Sequence, residues 1–202
     1  MIAAVLLAAR IALPFVAKRM MNDRLERIPG YSGRAMVPGC GHGHEVALAV
    51  SHGIDAIGLD IAPTGVAEAR ALYPHIAERF VVGDAFAPPM EMRGAFDLVL
   101  EHTCLSGLPP SMRADYRRGL DLMLKPGGLL IGVWFINPDL DPGEEGPPFA
   151  FPVPDLTGAL RGRLRDHRRL CARRGLCITR RARARARAAA HGVRGQAVSA
   201  RS

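Results

Sequence analysis

The 202-residue sequence predicts an α/β fold built on a doubly wound, mostly parallel β-sheet. Three observations lead to this prediction. Short apolar runs typical of buried strands alternate with helical segments between residues 34 and 136. A glycine-rich turn follows the first of these strands, and an acidic residue closes each of the next two. Strands that alternate with helices form parallel sheets with helices on both faces.

The individual elements follow from local signals along the chain. Strands are predicted over residues 34–38, 54–59, 80–82, 96–100 and 129–136. Helices are predicted over residues 45–51, 63–72 and 110–124, and the second of them begins at a proline. Residues 3–28 are predicted to form one or two helices, whereas residues 138–154, with their six prolines, are predicted to form a loop.

Charge divides the chain into two parts. Residues 1–160 carry a net charge of −5, and residues 161–202 carry +13, which together give the +8 of the whole chain. Arginine and alanine alternate from Arg180 to Arg187, so that no apolar face exists at any period. The sequence therefore predicts a folded domain over residues 1–160 and an Arg-rich, disordered tail over residues 161–202.

The cysteines and the N-terminal residues indicate the cellular compartment in which the protein is expected. Four cysteines in a chain of this length do not suggest a disulfide framework, so we expect free thiols in a reducing, cytoplasmic environment. The apolar residues 2–9 are interrupted by Arg10 and followed by Pro14. That stretch is too short for a spanning helix, and we expect it to cover the sheet, with a membrane anchor or signal as the alternative.

The glycine-rich turn carries the first functional signal. Gly39, Gly41 and Gly43 leave room for backbone amides to approach a ligand, and the N–H groups of the following helix attract a carboxylate or phosphate. Asp60 lies 17 residues after Gly43, near the usual distance for an acid that binds ribose hydroxyls. This arrangement indicates a cofactor that carries adenosine.

Three interpretations of the glycine-rich turn remain open at this point: an S-adenosylmethionine site, an NAD site, and a tight strand-to-helix turn that binds no ligand. An NAD site needs a third glycine three residues after the second, for close packing of helix and strand, but Val46 follows Gly43 at that spacing. Asp84, after the third strand, suits the exocyclic amine of adenine. These details favour S-adenosylmethionine and leave an NAD-binding oxidoreductase as the alternative.

Several further motifs together resemble the class I S-adenosylmethionine-dependent methyltransferases, and within them the thiopurine methyltransferase superfamily, which includes thiol and halide methyltransferases. The resemblance covers about residues 30–155. It rests on the segments Val37–Glu45, Gly58–Ile61, Gly83–Phe86, Phe96–Thr103, Pro109–Arg113, Leu124–Gly128 and Gly146–Phe149.

The resemblance implies a Rossmann-like fold and S-adenosylmethionine-dependent methyl transfer to a small molecule, with a thiol as the best candidate acceptor. The glycine-rich turn, with Gly39, Cys40, Gly41 and Gly43, would line the methionine and ribose portions of the cofactor. The remaining implied contacts are Asp60 to the ribose, Ile61, Asp84 and Ala85 to the adenine, and Glu101 and Thr103 to the sulfonium end.

A thiol reacts as the thiolate, so a base beside the acceptor would assist, and His102 is the candidate. A single histidine beside a site is more often a packing or hydrogen-bonding residue. No metal site is expected, because the Cys-x-His-x-His spacing of Cys40, His42 and His44 is not usual for zinc.

The chain also departs from the family pattern. Cys104 and Leu105 occupy places where family members have aromatic residues, and Trp134, the single tryptophan, lies in the fifth strand rather than near the N-terminus. The family sheet continues with two more strands, and we expect this chain to lack them, which leaves the fifth strand as an exposed apolar edge.

The basic tail has two interpretations. The change from −5 to +13 suggests a frameshift near residue 160, which re-sequencing of the coding DNA would test. Alternatively, the arginines bind nucleic acid through phosphates, although the tail has no aromatic residue for base stacking. A small-molecule substrate is the expected partner, and nucleic acid and membrane are not.

Overall fold

The computed structural model describes Asn22, Leu25, residues 33–135, Gly143, residues 145–149, and the backbone of residues 170–171 and 176–180. The helices expected over residues 3–28, most of the proline-rich loop and the region beyond residue 180 lie outside the described residues. Within the described ranges, no helix combines the length and the hydrophobicity that crossing a bilayer needs.

A seven-stranded sheet forms the centre of the fold, in the spatial order β3-β2-β1-β4-β5-β7-β6. Its strands are β1 (Arg34–Pro38), β2 (Asp55–Asp60), β3 (Phe80–Val82), β4 (Phe96–His102), β5 (Leu124–Phe135), β6 (Leu170–Cys171) and β7 (Leu176–Arg180). The first five pair in parallel, β1 with both β2 and β4, β2 with β3, and β4 with β5. The predicted class, a doubly wound and mostly parallel α/β sheet, is confirmed.

Helices cover both faces of the sheet. They are α1 (His44–Ser51), α2 (Pro63–Leu72), α3 (Cys104–Gly107) and α4 (Arg113–Met123), with short 3-10 helices at Pro74–Arg79, Met90–Met92 and Pro110–Met112. Helices α1 and α2 bury apolar residues in one core cluster, whereas α4 buries its residues in another, on the opposite face. Alternate residues of β4 divide between the clusters, as Leu100 and Val99 illustrate.

The sheet differs from the prediction at its far edge. We expected it to end at β5, but β7 pairs antiparallel with β5, from Ile131 opposite Arg180 to Phe135 opposite Leu176. The segment Leu176–Arg180 is short but rich in strand-forming residues, and the unpaired backbone of an apolar edge strand favours such pairing. The expectation of two missing strands, and of an exposed edge at β5, is therefore wrong.

This correction affects the interpretation of the C-terminal region. The frameshift hypothesis rested on the charge reversal and on the loss of strand pattern, and only the charge reversal still supports it. The domain boundary at residue 160 stays a prediction, while the pairing with β5 places residues 176–180 in the sheet.

The Lys-Pro-Gly-Gly segment at residues 125–128 lies within β5 as an irregularity. Phe96 pairs with Leu124, but Leu98 pairs with Leu129, so the four residues between Leu124 and Leu129 have no partners in β4. Gly127 supplies the positive φ of 79° that the bend requires. Beyond the bulge, β5 continues as a buried strand through the middle of the sheet.

Candidate active site

The order of the strands places a crevice between β1 and β4. The chain progresses outward from β1 through β2 to β3, and then returns to the other side of β1 to form β4. In open α/β sheets, ligands bind outside the carboxyl ends of the strands at such a switch point. The glycine-rich turn follows β1, and His102 and Thr103 lie at the carboxyl end of β4, so both flank this crevice.

The glycine-rich turn folds back on the end of β2. The N–H of Gly39 donates to the carbonyl of Leu59 at 2.7 Å, and Gly39, Gly41 and Gly43 have φ values of 63°, 48° and 79°. A Cβ at Gly39 would lie 2.7 Å from Cys104 Sγ, and one at Gly43 would lie 2.3 Å from a Phe80 ring atom. Those two glycines are therefore required by neighbouring side chains of the protein itself.

Gly41 differs from its two neighbours. A Cβ placed there would meet no protein atom within 4 Å, so the space beside Gly41 is open to a ligand. Its N–H donates to Asp60 Oδ2 at 2.8 Å, and the N–H of Ala62 donates to Asp60 Oδ1 at 2.9 Å. Asp60 therefore fixes the tip of the turn, and each of its oxygens keeps a lone pair for a further donor.

Cys40 does not present its side chain to this space. The residue is only 4% exposed, and its sulfur packs where a Cβ on Gly58 would lie. Burial, together with the charge of Asp60, raises the pKa of the Cys40 thiol to about 12. Any contact of Cys40 with a ligand would therefore involve its backbone, and its thiol is neither nucleophile nor metal ligand at neutral pH.

The residues expected around adenine lie after β2 and β3. Ile61 is 69% exposed although it is a large apolar residue. Asp84 Oδ1 accepts the N–H of Phe86 at 2.8 Å, and Gly83 donates its N–H to the carbonyl of Asp60 at 2.8 Å. The loop after β3, which also carries Ala85, is thus held beside the end of β2, and Ile61 offers an apolar surface next to it.

Glu101 points to the face of the sheet that α4 covers. Its side chain is fully buried, Oε1 accepts the N–H of Leu105 at 2.8 Å, and Oε2 makes no hydrogen bond of good geometry, although the nearby Trp134 indole N–H favours the ionised carboxylate. Burial raises the pKa of Glu101 to about 7, against the weaker opposing effects of the Leu105 N–H and the His102 charge. The carboxyl both caps α3 and retains one oxygen for another donor.

Thr103 connects β4 to α3 in a strained conformation. Its φ of 59° is the one positive value of a non-glycine residue in the described part of the chain. Its N–H donates to the carbonyl of Val133 at 2.9 Å, and its own carbonyl accepts the N–H of Gly107 at 3.1 Å. Such strain in a well-anchored residue is typical of functional sites.

His102 faces the other side of the sheet and pairs with Glu45. His102 Nδ1 and Glu45 Oε1 are 2.6 Å apart, and the two side chains are 15% and 14% exposed. Burial opposes the charge of each, but their mutual hydrogen bond and attraction prevail, so that the pKa of Glu45 is lowered and that of His102 is raised. Nε2 of His102 is buried and has no hydrogen-bond partner.

Sequence reasoning gave no role to Glu45 or to Ser106. Glu45 lies in the first turn of α1, directly after the glycine-rich turn, which is the signal that could have drawn attention to it. Buried Ser106 accepts the N–H of Phe135 through Oγ at 3.1 Å and the N–H of Phe149 through its carbonyl at 2.7 Å. It ties α3 to the end of β5 and to residues 145–149.

The histidines considered for a metal site have separate partners. His42 pairs with Glu68 at 2.8 Å, His44 Nδ1 lies 2.7 Å from the Tyr73 hydroxyl, and His102 pairs with Glu45. Among the residues that the structure describes, no group of three or more histidine, cysteine or acidic side chains could hold a metal ion.

A glycine-rich turn at the switch point, with an acid after β2 and another after β3, defines the cofactor edge of a class I methyltransferase-like α/β domain. The family model for thiopurine S-methyltransferase matches residues 17–168. The chain belongs to this family, and the resemblance noted in the sequence is confirmed.

Curated relatives agree with this assignment. The chain is 31% identical over 133 residues to a probable thiol methyltransferase 2 of Arabidopsis thaliana, with 64% of this chain and 57% of the relative covered. It is 33% identical over 126 residues to thiocyanate methyltransferase 1 of the same plant, covering 60% and 53%. It is 32% identical over 135 residues to thiopurine S-methyltransferase of Pseudomonas fluorescens, covering 58% and 60%. The chain thus spans little more than half the length of these relatives.

Solved structures share the fold at low sequence identity. A Burkholderia thailandensis 1,6-didemethyltoxoflavin-N1-methyltransferase with bound S-adenosylhomocysteine superposes with a TM-score of 0.62 at 19% identity, over 83% of this chain and 78% of the other. The glycopeptide N-methyltransferase MtfA with sinefungin gives 0.65 at 12% identity, over 83% and 94%. These similarities establish the Rossmann-like fold of the domain.

Proposed function

We propose that the protein binds S-adenosylmethionine and transfers its methyl group to a small-molecule acceptor, for which a thiol is the best candidate. The observation that carries the proposal is the open space beside Gly41, next to the carboxylate of Asp60, at the switch point of the sheet. Thiol, thiocyanate and thiopurine methyltransferases among the relatives support a soft nucleophile as acceptor.

The residues present fit the adenosine part of this cofactor. The free lone pairs of Asp60 suit the two ribose hydroxyls, and Gly41 leaves room for the sugar. The exposed side chain of Ile61 would be covered by the adenine ring, whose amine would donate to Asp84. In this proposal Ala85 borders the adenine, while the backbone of Gly39, Cys40 and Gly43 shapes the turn.

The sulfonium end would lie toward β4, near Glu101 and Thr103. Because Glu101 is fully buried, it would act on the sulfonium through its negative charge when the carboxyl is ionised, and not by direct contact. When bound, S-adenosylmethionine supplies an electrophilic methyl group, so the chain's own residues mainly position the acceptor and exclude water. A reducing, cytoplasmic location is part of the proposal, because the described Cys40 and Cys104 are free thiols.

Calorimetric titration of the full chain with S-adenosylhomocysteine tests the proposal, and NAD serves as the competing ligand. Asp60→Ala should weaken binding at least tenfold, because hydrogen bonds to a charged group contribute roughly 1.5–3 kcal/mol each. Asp55→Ala is the matched control, since Asp55 starts the same strand at its opposite end. No binding by the folded protein, or equal affinities of the two variants, would refute the proposed cofactor site.

The acceptor class is tested by incubating the protein with S-adenosylmethionine and one candidate nucleophile at a time. We expect S-methyl products from 2-mercaptoethanol, benzenethiol and thiocyanate, formed in equal amounts with S-adenosylhomocysteine. Cofactor binding without methylation of any of these nucleophiles would contradict the soft-nucleophile part of the proposal and leave the cofactor assignment intact.

A further inference from the structure

The Glu45–His102 pair bridges the crevice at which the proposed substrates meet. Glu45 belongs to α1, which follows β1, and His102 ends β4, the neighbour of β1 across the switch point. The contact of 2.6 Å therefore joins the two sides of the crevice through a hydrogen bond between residues 57 positions apart. His102 Nε2 has no hydrogen-bond partner, whereas the Glu45 carboxylate is also stabilised by its own backbone N–H and by the nearby His44.

The carboxylate of Glu45 determines the protonation pattern of the imidazole. An ionised carboxylate only accepts hydrogen bonds, so Nδ1 of His102 carries the hydrogen. In the neutral ring, Nε2 is then a lone-pair acceptor, and it is buried without a donor. A buried polar atom without a partner destabilises the folded protein, so a donor that reaches Nε2 gains a favourable hydrogen bond.

The other ionisable groups near the crevice are less suited to accept a proton from a substrate. The charge of Glu101 acts on His102, but the Glu101 side chain lies on the opposite face of the sheet and has no exposed surface. Burial raises the pKa of the Cys104 thiol to about 12, so at neutral pH it holds its own proton. His102 ends β4, the strand that borders the crevice, and 15% of its side chain is exposed, although Nε2 itself is buried.

We propose that His102 Nε2 accepts the proton of the acceptor thiol and that Glu45 is a positioning residue that fixes the tautomer and orientation of the ring. This inference rests on the proposed function. The S–H bond of the acceptor breaks, its electron pair stays on sulfur, and the proton forms an N–H bond at Nε2. The thiolate pair then forms the bond to the methyl carbon, while the carbon–sulfonium bond breaks and its pair remains on the departing thioether sulfur. The proton finally passes from Nε2 to solvent.

The charge environment supports this role. The groups that act on His102 are Glu45 from α1 and Glu101 from its own strand, and both favour the protonated ring, against the effect of burial. The pKa of His102 is therefore raised above its ordinary value near 6.5. A raised pKa makes the neutral His102 ring a stronger base than an ordinary histidine.

The experiment compares two nucleophiles that differ in whether they carry a proton. His102→Gln should lower kcat/KM for 2-mercaptoethanol about 100-fold, within the range of general base catalysis. Thiocyanate has no proton to lose, so the loss in kcat/KM with thiocyanate should be at least tenfold smaller than the loss with 2-mercaptoethanol. The affinity for S-adenosylhomocysteine, measured by calorimetry, should stay within about twofold. His44→Gln is the matched control, since His44 also bonds through Nδ1, to Tyr73.

Glu45→Gln tests the positioning role. Because the carboxylate raises the pKa of His102, its removal should move the acidic limb of the kcat/KM profile for the thiol to lower pH. A merely structural role would lower the rate without moving this limb.

Several results would overturn the inference. If His102→Gln loses kcat/KM equally with the thiol and with thiocyanate, the role of His102 is structural. If the same variant loses tenfold in affinity for S-adenosylhomocysteine, His102 is a ligand of the cofactor. If the acidic limb of the kcat/KM profile does not move in Glu45→Gln, the limb does not arise from His102 paired with Glu45. If the unaltered protein binds no S-adenosylhomocysteine, the proposed function fails first and the inference falls with it.

Discussion

Glu101 allows a quantitative test of the buried carboxyl beneath the site. The side chain is fully buried, and its pKa is raised from 4.5 to about 7 because burial disfavours the charged form. The folded state therefore holds this proton more tightly than the unfolded state does. Stability contributed by the protonated carboxyl is complete below about pH 4.5 and is lost as the pH rises through about 7.

The magnitude follows from the two pKa values. The interval from 4.5 to about 7, at about 1.36 kcal/mol per pKa unit, corresponds to about 3 kcal/mol. Glu101→Gln keeps an oxygen that can accept the Leu105 N–H, but it cannot ionise. Relative to the unaltered protein, the variant should therefore gain about 2–3 kcal/mol in free energy of unfolding between about pH 5 and about pH 8.5.

Urea denaturation at the two pH values measures this gain, because titrating groups that do not interact with Glu101 cancel when the variant is compared with the unaltered protein at each pH, whereas His102, whose pKa the Glu101 charge helps to raise, does not. Leu100→Ala, at the adjacent buried position of β4, is the control, because its cost should be the same at both pH values. If Glu101→Gln and the unaltered protein lose stability in parallel as the pH rises, the pKa of the buried carboxyl is not raised in the folded protein.

Further substitutions test the glycine-rich turn and, separately, the contact of Ser106 with the end of β5. Gly41→Ala should cost about 1 kcal/mol of stability, for its φ of 48°, and lower the affinity for S-adenosylhomocysteine at least tenfold. Gly53→Ala is the control, because Gly53 has a φ of 75° and equally open space, so this change should cost similar stability and leave the affinity unchanged. If the two variants bind S-adenosylhomocysteine equally well in calorimetry, no ligand lies beside Gly41. Ser106→Ala leaves the Phe135 N–H without its partner and should cost about 1–3 kcal/mol in urea denaturation, and an unchanged midpoint would show that this N–H is satisfied otherwise.

The part of the site that depends on single strands could be predicted from the sequence. The glycine-rich turn, Asp60 and Asp84 each follow a recognisable apolar strand, and parallel strands bring their carboxyl ends to one edge. Their common location therefore needs only the order of the elements along the chain. The packing requirement for Gly39 and Gly43 was not predictable, because it depends on Cys104 and Phe80, which come from distant segments.

The parts that depend on strand neighbours could not be predicted. Glu45 and His102 meet because β4 lies beside β1, a pairing that no local pattern specifies. The same holds for β7, whose five residues are flanked by arginines and resemble no isolated strand. Its formation depends on the apolar edge that β5 offers, so the strand becomes recognisable only once its partner is in place.

The charges at this edge of the sheet give a physical reason for preferring one adenosine cofactor over the other. Glu45, Asp60, Asp84 and Glu101 all lie at or just beyond the carboxyl ends of β1 to β4. NAD would bring the two negative charges of its pyrophosphate to the glycine-rich turn, next to Asp60, where like charges repel, whereas His102 offsets the charge of Glu45. S-adenosylmethionine carries a cationic sulfonium and an ammonium group instead, and carboxylates stabilise both. S-adenosylhomocysteine lacks the sulfonium charge but keeps the ammonium group and has no pyrophosphate, so NAD should bind this edge more weakly than S-adenosylhomocysteine.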